Sequence, residues 1–212
     1  EFLSLSSYVL AAFAKRDRRS AEAGLKYFLY GAACSAVMVY GMSILFGITG
    51  GSTALSAVAR GLSPDAAGSG AAWVGVMFVL VGLGFKVSLV PFHFWTPDVY
   101  EGAPTPVTAF LSVVSKAAGL AVLVRFLMVV GLPTAGFSLS WYWILVGLTI
   151  AGMFYGNLAA IPQGNIKRML GYSSIAQIGY FLIGVLAWIA SVREDSAGWG
   201  IQGVVVYFLA YL

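Results

Sequence analysis

Residues 85–106 read FKVSLVPFHFWTPDVYEGAPTP, and this stretch decides the fold. It ends an apolar run that begins near Ala71, yet it carries a lysine at position 86 and a proline at position 91. A charge near the bilayer centre costs at least about 2.5 kcal/mol, so an intramembrane lysine is read first as part of an ion or proton path. Proline within a helix leaves the carbonyl four residues earlier, here that of Val87, without its donor and kinks or breaks the helix. Broken membrane helices are tolerated where they are buried in protein or line a wet cavity. Ser88 and His93 can supply polar contacts beside the break, although His93 alone is equally well a hydrogen-bonded packing residue. Asp98 and Glu101 fall in a short polar link, where solvated loop acids are the default and proton collection at an entrance is the minority reading.

Outward from this segment, the chain reads as a polytopic all-α membrane protein. Its 212 residues are 60% hydrophobic and only 9% charged, against about 45–50% and about 25% in ordinary soluble domains. Requiring about 20 residues per crossing gives five complete spans. These are 23–48, 71–95 (discontinuous near Pro91), 105–130, 141–161 and 169–190. Two truncated spans, 1–14 and one beginning near Trp199, flank them, and the chain reads as a fragment cut at both ends, a single transmembrane domain over 1–212. Alternate threading puts Lys15, Arg16, Arg18, Arg19, Lys26, Lys167 and Arg168 on one side and Arg60 and Arg193 on the other. The positive-inside rule makes the first side cytoplasmic, including the loops Lys15–Arg19 and Lys167–Arg168. The net charge of +4 is therefore a topology signal and not a nucleic-acid footprint. Trp73, Trp95, Trp141 and Trp199 fall near span ends, as interfacial aromatics do. Gly152 with Gly156, and Gly31 with Ser35, are small-residue pairs suited to close helix packing.

A second lysine, Lys116, lies eleven residues into the 105–130 span, about 16 Å along a helix that needs about 30 Å to cross. Lys86 sits at a similar depth, too far from either end to snorkel, whereas Arg125 is near enough to the outer end to snorkel and reads as structural. Glu1, counted back from Lys15, also falls near mid-membrane at about 20 Å. One acid and two bases thus share one level. The competing reading is a structural ion pair. Two lysines for one visible acid leave that balance wrong, and lysine is the base whose pKa moves most readily with burial.

Other chemistries lack support. The single cysteine, Cys34, forms no intrachain disulfide, and one histidine makes no metal cluster. Gly82 and Gly84 begin a G-x-G pattern, but Val87 stands where a third glycine would be, and the segment lies within a span. No Walker motif occurs, and no serine pairs with His93 for nucleophilic catalysis.

The runs KVSLVPFHFWTPDVYEGAPTPVTAFLSVVSKAAG, EFLSLSSYVL, KYFLYGA and NIKRMLGYSSIAQIGY together resemble the antiporter-like, proton-pumping membrane subunits of respiratory complex I, among them most closely the N subunit, called ND2 in mitochondria. The resemblance covers essentially the whole chain and implies an internal piece of a subunit with about fourteen helices in two inverted repeats. It implies that Glu1 matches the family's fifth-helix glutamate, Lys86 the pumping lysine of the discontinuous seventh helix, and Lys116 the connecting lysine of the eighth. Some relatives carry a histidine where this chain has Gln177, which can still hold water in a polar path, and His93 is a further possible member of that path. The implied function is proton translocation coupled to NADH:quinone electron transfer, making the chain an enzyme component only through its assembly. The implied partners are other complex I membrane subunits in a bacterial inner membrane. NADH, FMN, Fe–S clusters and quinone are expected in other subunits, with no cofactor in this chain. The alternatives are a subunit of a multisubunit cation/proton antiporter, a hydrogenase- or photosynthetic-type complex using the same module, or a purely structural scaffold.

Overall fold

A computed structural model describes residues 2–62, 70–131, 138–193 and 199–211. Glu1, Pro64 and Asp65 lie outside the described residues, as do the side chains of Trp141 and Arg193. The described residues form helices joined by short turns. In chain order these are α1 (Phe2–Ala11), α2 (Arg18–Ile48), α3 (Leu55–Gly61), α4 (Gly70–Val87), α5 (Trp95–Gly102), α6 (Thr105–Phe110), a π-helical turn (Leu111–Ser115), α7 (Lys116–Gly131), α8 (Ser138–Ala160), α9 (Ile166–Arg193) and α10 (Trp199–Tyr211).

Five segments are long and apolar enough to cross a bilayer: Arg18–Ile48, Gly70–Val87, Thr105–Met128, Tyr142–Ala160 and Ile166–Ser191. Four of them match the spans expected from hydropathy to within a few residues, the fifth stops at Val87 where the expected span ran to residue 95, and the shorter apolar helices Phe2–Ala11 and Trp199–Tyr211 match the two truncated ones. At its start α2 is capped by Asp17, whose carboxylate accepts the Arg19 backbone N–H at 2.9 Å. Helix α2 packs along α4, α4 also meets α7, and α9 packs against α8 on one side and α10 on the other. Large apolar side chains such as Phe2, Tyr40, Trp143, Phe154 and Val206 face outwards, as they do where lipid or a neighbouring membrane protein is the solvent.

Helix–helix contact is closest where glycine removes the side chain. A Cβ on Gly156 of α8 would come within 2.5 Å of the Ala176 nitrogen and 2.8 Å of the Tyr172 carbonyl oxygen of α9. A Cβ on Gly152 would meet only Val90, at 3.9 Å. The two glycines paired by spacing therefore differ: Gly156 sets a backbone-to-backbone approach and Gly152 does not. On the other face, a Cβ on Gly31 would strike the Tyr8 hydroxyl, which is how α1 closes on α2.

The discontinuity takes a different form from a proline kink. Helix α4 ends at Val87, before Pro91, and Ser88 has φ +65°, a left-handed conformation that a non-glycine residue adopts at a cost of about 1–2 kcal/mol. Pro91, joined to Val90 by a cis peptide bond, stands within the break. The backbone groups released there find partners. The Leu89 N–H reaches the Gly84 carbonyl at 2.8 Å, and the Phe85 carbonyl accepts both the Ser88 N–H at 3.1 Å and the Trp95 indole N–H at 2.9 Å. The Thr96 hydroxyl donates to Ser88 Oγ at 2.6 Å, with both residues fully buried. Trp95 is thus no interfacial aromatic. It is 1% exposed and stacks on Tyr27 with ring centroids 4.4 Å apart. Trp199, by contrast, is exposed as expected.

The glycine asymmetry yields a paired test. Gly156→Ala should destabilise the solubilised full-length protein by about 1–3 kcal/mol through overpacking. Gly152→Ala should be neutral or slightly stabilising, since alanine favours helix by about 1 kcal/mol over glycine. The thermal unfolding midpoints of the two variants measure the difference.

Candidate functional site

The chemistry-bearing residues fall into two groups, one in the interior and one at the end of the bundle that holds the α1–α2 turn. In the interior, Lys116 is 3% exposed at the junction where the π-helical turn of 111–115 hands over to α7. A π-helical turn widens the backbone ladder by one residue and is frequent at functional positions. The Lys116 ammonium donates to the hydroxyl of Ser174 on α9 and lies 5.6 Å from the centre of the Tyr100 ring. No carboxylate pairs with it among the described residues. Ser174 Oγ also accepts the Tyr211 hydroxyl at 3.3 Å and lies 3.5 Å from the Tyr100 hydroxyl.

Lys86, in the last turn of α4, is half-buried and donates to the Ser4 hydroxyl of α1 at 3.0 Å. Its stem lies against α7, where a Cβ on Gly119 would come within 3.0 Å of Lys86 Cγ. Gly119 is one turn beyond Lys116, so the two lysine-bearing helices touch next to both lysines. Gln177, one turn beyond Ser174 on α9, accepts the Tyr207 hydroxyl of α10. The interior thus holds a succession of two hydrogen-bonded polar groups, Ser4 with Lys86 and Lys116 with Ser174, Tyr100 and Tyr211, with Gln177 and Tyr207 beside the second.

His93 does not join this succession through any described hydrogen bond. It lies in the break, 2% exposed, packed against Phe94 and edge-on to Tyr155 of α8, with ring centroids 4.5 Å apart in both cases. The Pro91 backbone is its polar neighbour, but neither ring nitrogen makes a well-formed hydrogen bond among the described residues.

At the end of the bundle, the acids expected in a solvated loop belong instead to an ordered ionic cluster. Both lie on α5, about a quarter exposed. Asp98 pairs with Lys26 of α2 at 2.7 Å and with Arg168 of α9 at 2.5 Å. Glu101 pairs with the same Arg168 at 3.1 Å and accepts from Asn165 Nδ2 at 3.3 Å. Lys167 donates to the Ala103 carbonyl at 2.6 Å. Burial tends to raise the Asp98 pKa, but the hydrogen bonds from Lys26 and Arg168 outweigh it and hold the carboxyl below its ordinary value. The cluster brings residues 19, 22, 26, 98, 101 and 168 to one end of the bundle, on the side to which hydropathy threading assigns the basic loops.

The whole chain, residues 1–212, matches the family model described as NADH:quinone oxidoreductase/Mrp antiporter, TM. The chain belongs to this transmembrane family. Among curated relatives of the NADH:quinone oxidoreductase/Mrp antiporter family, it is 49% identical over 213 residues to NAD(P)H-quinone oxidoreductase subunit 2 of Picosynechococcus, aligning all of this chain with 38% of that protein. It is 45% identical over 217 residues to NADH-quinone oxidoreductase subunit N of Chlorobium chlorochromatii, again over its full length and 40% of the relative. The chain thus spans about two fifths of the length of these relatives. Among solved structures, a chain of respiratory complex I from Thermus thermophilus with bound aureothin superposes with a TM-score of 0.70 at 37% identity, covering 99% of this chain and 43% of that one. A chain of the archaeal membrane-bound sulfane sulfur reductase gives 0.83 at 28%, covering 98% and 40%. A chain of the Mrp complex from Dietzia gives 0.75 at 23%, covering 92% and 33%, and shows the shared fold alone.

Four partners in the interior, Ser4, Tyr100, Ser174 and Tyr211, were not singled out by sequence. Ser174 had a usable signal, since it lies three residues before Gln177 and shares its helix face within an apolar span.

A carboxyl with a lowered folded-state pKa adds stability above its unfolded pKa of about 3.9 and loses it as pH falls through the folded value. Acidification below about pH 4 should therefore loosen α5. Asp98→Asn should loosen it already at neutral pH and leave much less acid dependence. Amide exchange of the 95–102 segment, corrected for intrinsic rates, reads both effects.

Proposed function

We propose that this chain is the proton-translocating part of an antiporter-like membrane subunit of an NADH–quinone oxidoreductase, with Lys86 and Lys116 as proton carriers and electron transfer supplied by other subunits. The observation that carries the reading is Lys116: a buried lysine held by a serine hydroxyl, with no carboxylate beside it among the described residues. A structural ion pair would place a carboxylate against that ammonium. An amine whose partner is a neutral hydroxyl can instead exist in either charge state, because the hydroxyl can accept from the ammonium or donate to the amine. Lys86, with Ser4 at one end and α7 against its stem, takes the upstream position. Gln177 and Tyr207 extend the polar succession towards α10. Identity at 45–49% to quinone oxidoreductase subunits over the full chain supports placement in that class of assembly. Glu1 retains the role of acidic partner that the resemblance implies, and His93 is assigned packing at the break before any relay role.

The second reading is cation/proton antiport, the activity suggested by the Mrp name in the family description. A dehydrated sodium ion wants several oxygen ligands, as hard cations do, whereas a protonated lysine offers donors only. Among the described residues, the side-chain oxygens hydrogen-bonded around Lys116 are the neutral hydroxyls of Ser174, Tyr100 and Tyr211, with no carboxylate to balance a metal cation. That set favours the proton.

Replacing Lys116 by Met in the complete complex should lower proton pumping in vesicles by about tenfold or more while assembly persists. Ser174→Ala should give a smaller loss and shift the pH profile of pumping, because it removes a hydrogen bond and not the carrier. Pumping that is unchanged at normal assembly returns the lysines to a structural role, and pumping that requires sodium moves the chain to the antiport reading.

A further inference from the structure

The end of the bundle opposite the ionic cluster holds a groove of about 240 Å³ between α2, α4 and α7, closed above by the segment leading into α3. Its walls are apolar, formed by Met42 and Phe46 of α2, Val79 and Leu83 of α4, and Val122 and Phe126 of α7. Met42, Phe46 and Val122 are exposed, at 47%, 46% and 55%. The lining also includes two exposed polar residues, Thr53 and Arg125. Arg125 makes no ion pair or hydrogen bond with any described residue. Snorkelling removes the cost of burying its charge but leaves a guanidinium at headgroup level beside an apolar groove, with no described partner.

Depth identifies the anion. Arg125 lies nine residues beyond Lys116 on α7, about 13 Å along the axis. The half-thickness of the hydrocarbon core is about 15 Å. The arginine stem therefore carries its head into the phosphate layer while the rest of the groove runs inwards beside hydrocarbon. Leu83, three residues before Lys86, marks its inner end. A ligand that fills this shape has an anionic head at the membrane surface and an apolar tail directed inwards along the membrane normal. A protein carboxylate would match only the head.

We propose that this groove is a binding site for an anionic phospholipid, its phosphate paired with Arg125 and one acyl chain seated between α2, α4 and α7. Arginine suits the role because its planar guanidinium makes two parallel hydrogen bonds to a phosphate. The Thr53 hydroxyl, without a described partner, is placed to donate to the same headgroup. Occupation would fasten α7 to α4 from the outer side, close to the helix pair that carries the two lysines.

The test uses the complete complex in bilayers containing a small fraction of phosphatidylglycerol with a photoreactive acyl chain, or phosphatidylcholine carrying the same chain. After irradiation, adducts are mapped on the peptides holding Met42–Phe46 and Val122–Phe126. The site is supported if the anionic probe labels these peptides about fivefold more than the zwitterionic one, if Arg125→Gln removes that preference, and if Arg125→Lys keeps part of it. It is overturned by equal labelling with the two probes, by a preference that survives in Arg125→Gln, or by no labelling in the wild type, which would mean that protein covers the groove. The comparison of the two probes on the wild-type complex decides the matter even where a variant does not assemble.

Discussion

Every backbone amide and carbonyl in a bilayer needs a partner, and the break between α4 and α5 is where this chain meets that requirement least easily. The solution is tertiary. The indole of Trp95 donates to the Phe85 carbonyl, Thr96 ties the left-handed Ser88, and Tyr27 of α2 stacks on Trp95 to hold it there. These groups come from three elements, so α2, α4 and α5 are fixed relative to one another by the need to close the break. Tyr8, Tyr27, Phe85, Trp95 and Tyr100 form the aromatic core around it, and Tyr100 in turn faces the Lys116 ammonium. Closing the helix end and surrounding the buried lysine are tasks of one cluster.

The same segment is anchored at its other end by charge. Asp98 and Glu101 are one turn apart on α5, and Arg168 of α9 reaches both. Lys26 of α2 completes the cluster, so the short helix is clamped between the two long helices on either side. Exposed ion pairs contribute little individually, but a partly buried network with a shared arginine holds geometry better than isolated pairs. The segment from the break through α5 is thus hydrogen-bonded at its membrane-interior end and ion-paired at the end facing the basic loops. A displacement of α9 relative to α2 would have to disturb both.

The spans were legible because twenty-residue hydropathy and clustered basic residues are local properties of a chain, and of the five complete spans only 71–95 misplaced an end, since its helix stops at Val87. The break was legible only in kind. Pro91 signalled it, yet the helix ends four residues earlier because Ser88 and the Trp95 indole provide an alternative to the lost ladder, and a contact ten residues away has no local signature. Trp95 was misread for the same reason: tryptophan near a span end usually marks the interface, but here it serves a buried carbonyl. The π-helical turn before Lys116 left no sequence mark, since LSVVS reads as ordinary apolar helix. Lys86 and Lys116 were singled out because charge in an apolar run is conspicuous. Their serine partners were not, because serine is unremarkable in a membrane helix until the fold shows what it faces.

Ser174 explains how one buried position can serve two charge states of Lys116 under the proton-transfer reading. A serine hydroxyl has one proton to give and two lone pairs to offer. With Lys116 charged, its ammonium and the Tyr211 hydroxyl use the lone pairs, and the serine proton is left to point towards Tyr100, 3.5 Å away. With Lys116 neutral, the serine proton can turn to the amine nitrogen, leaving one lone pair for Tyr211 and one for Tyr100 as donor. Between the two states the three hydroxyls exchange donor and acceptor roles by rotation alone. A carboxylate in place of Ser174 can only accept, so it would favour the charged lysine and offer the neutral amine no donor. Under the proton-transfer reading, a neutral hydroxyl is the partner that can serve both charge states, accepting from the ammonium and donating to the amine.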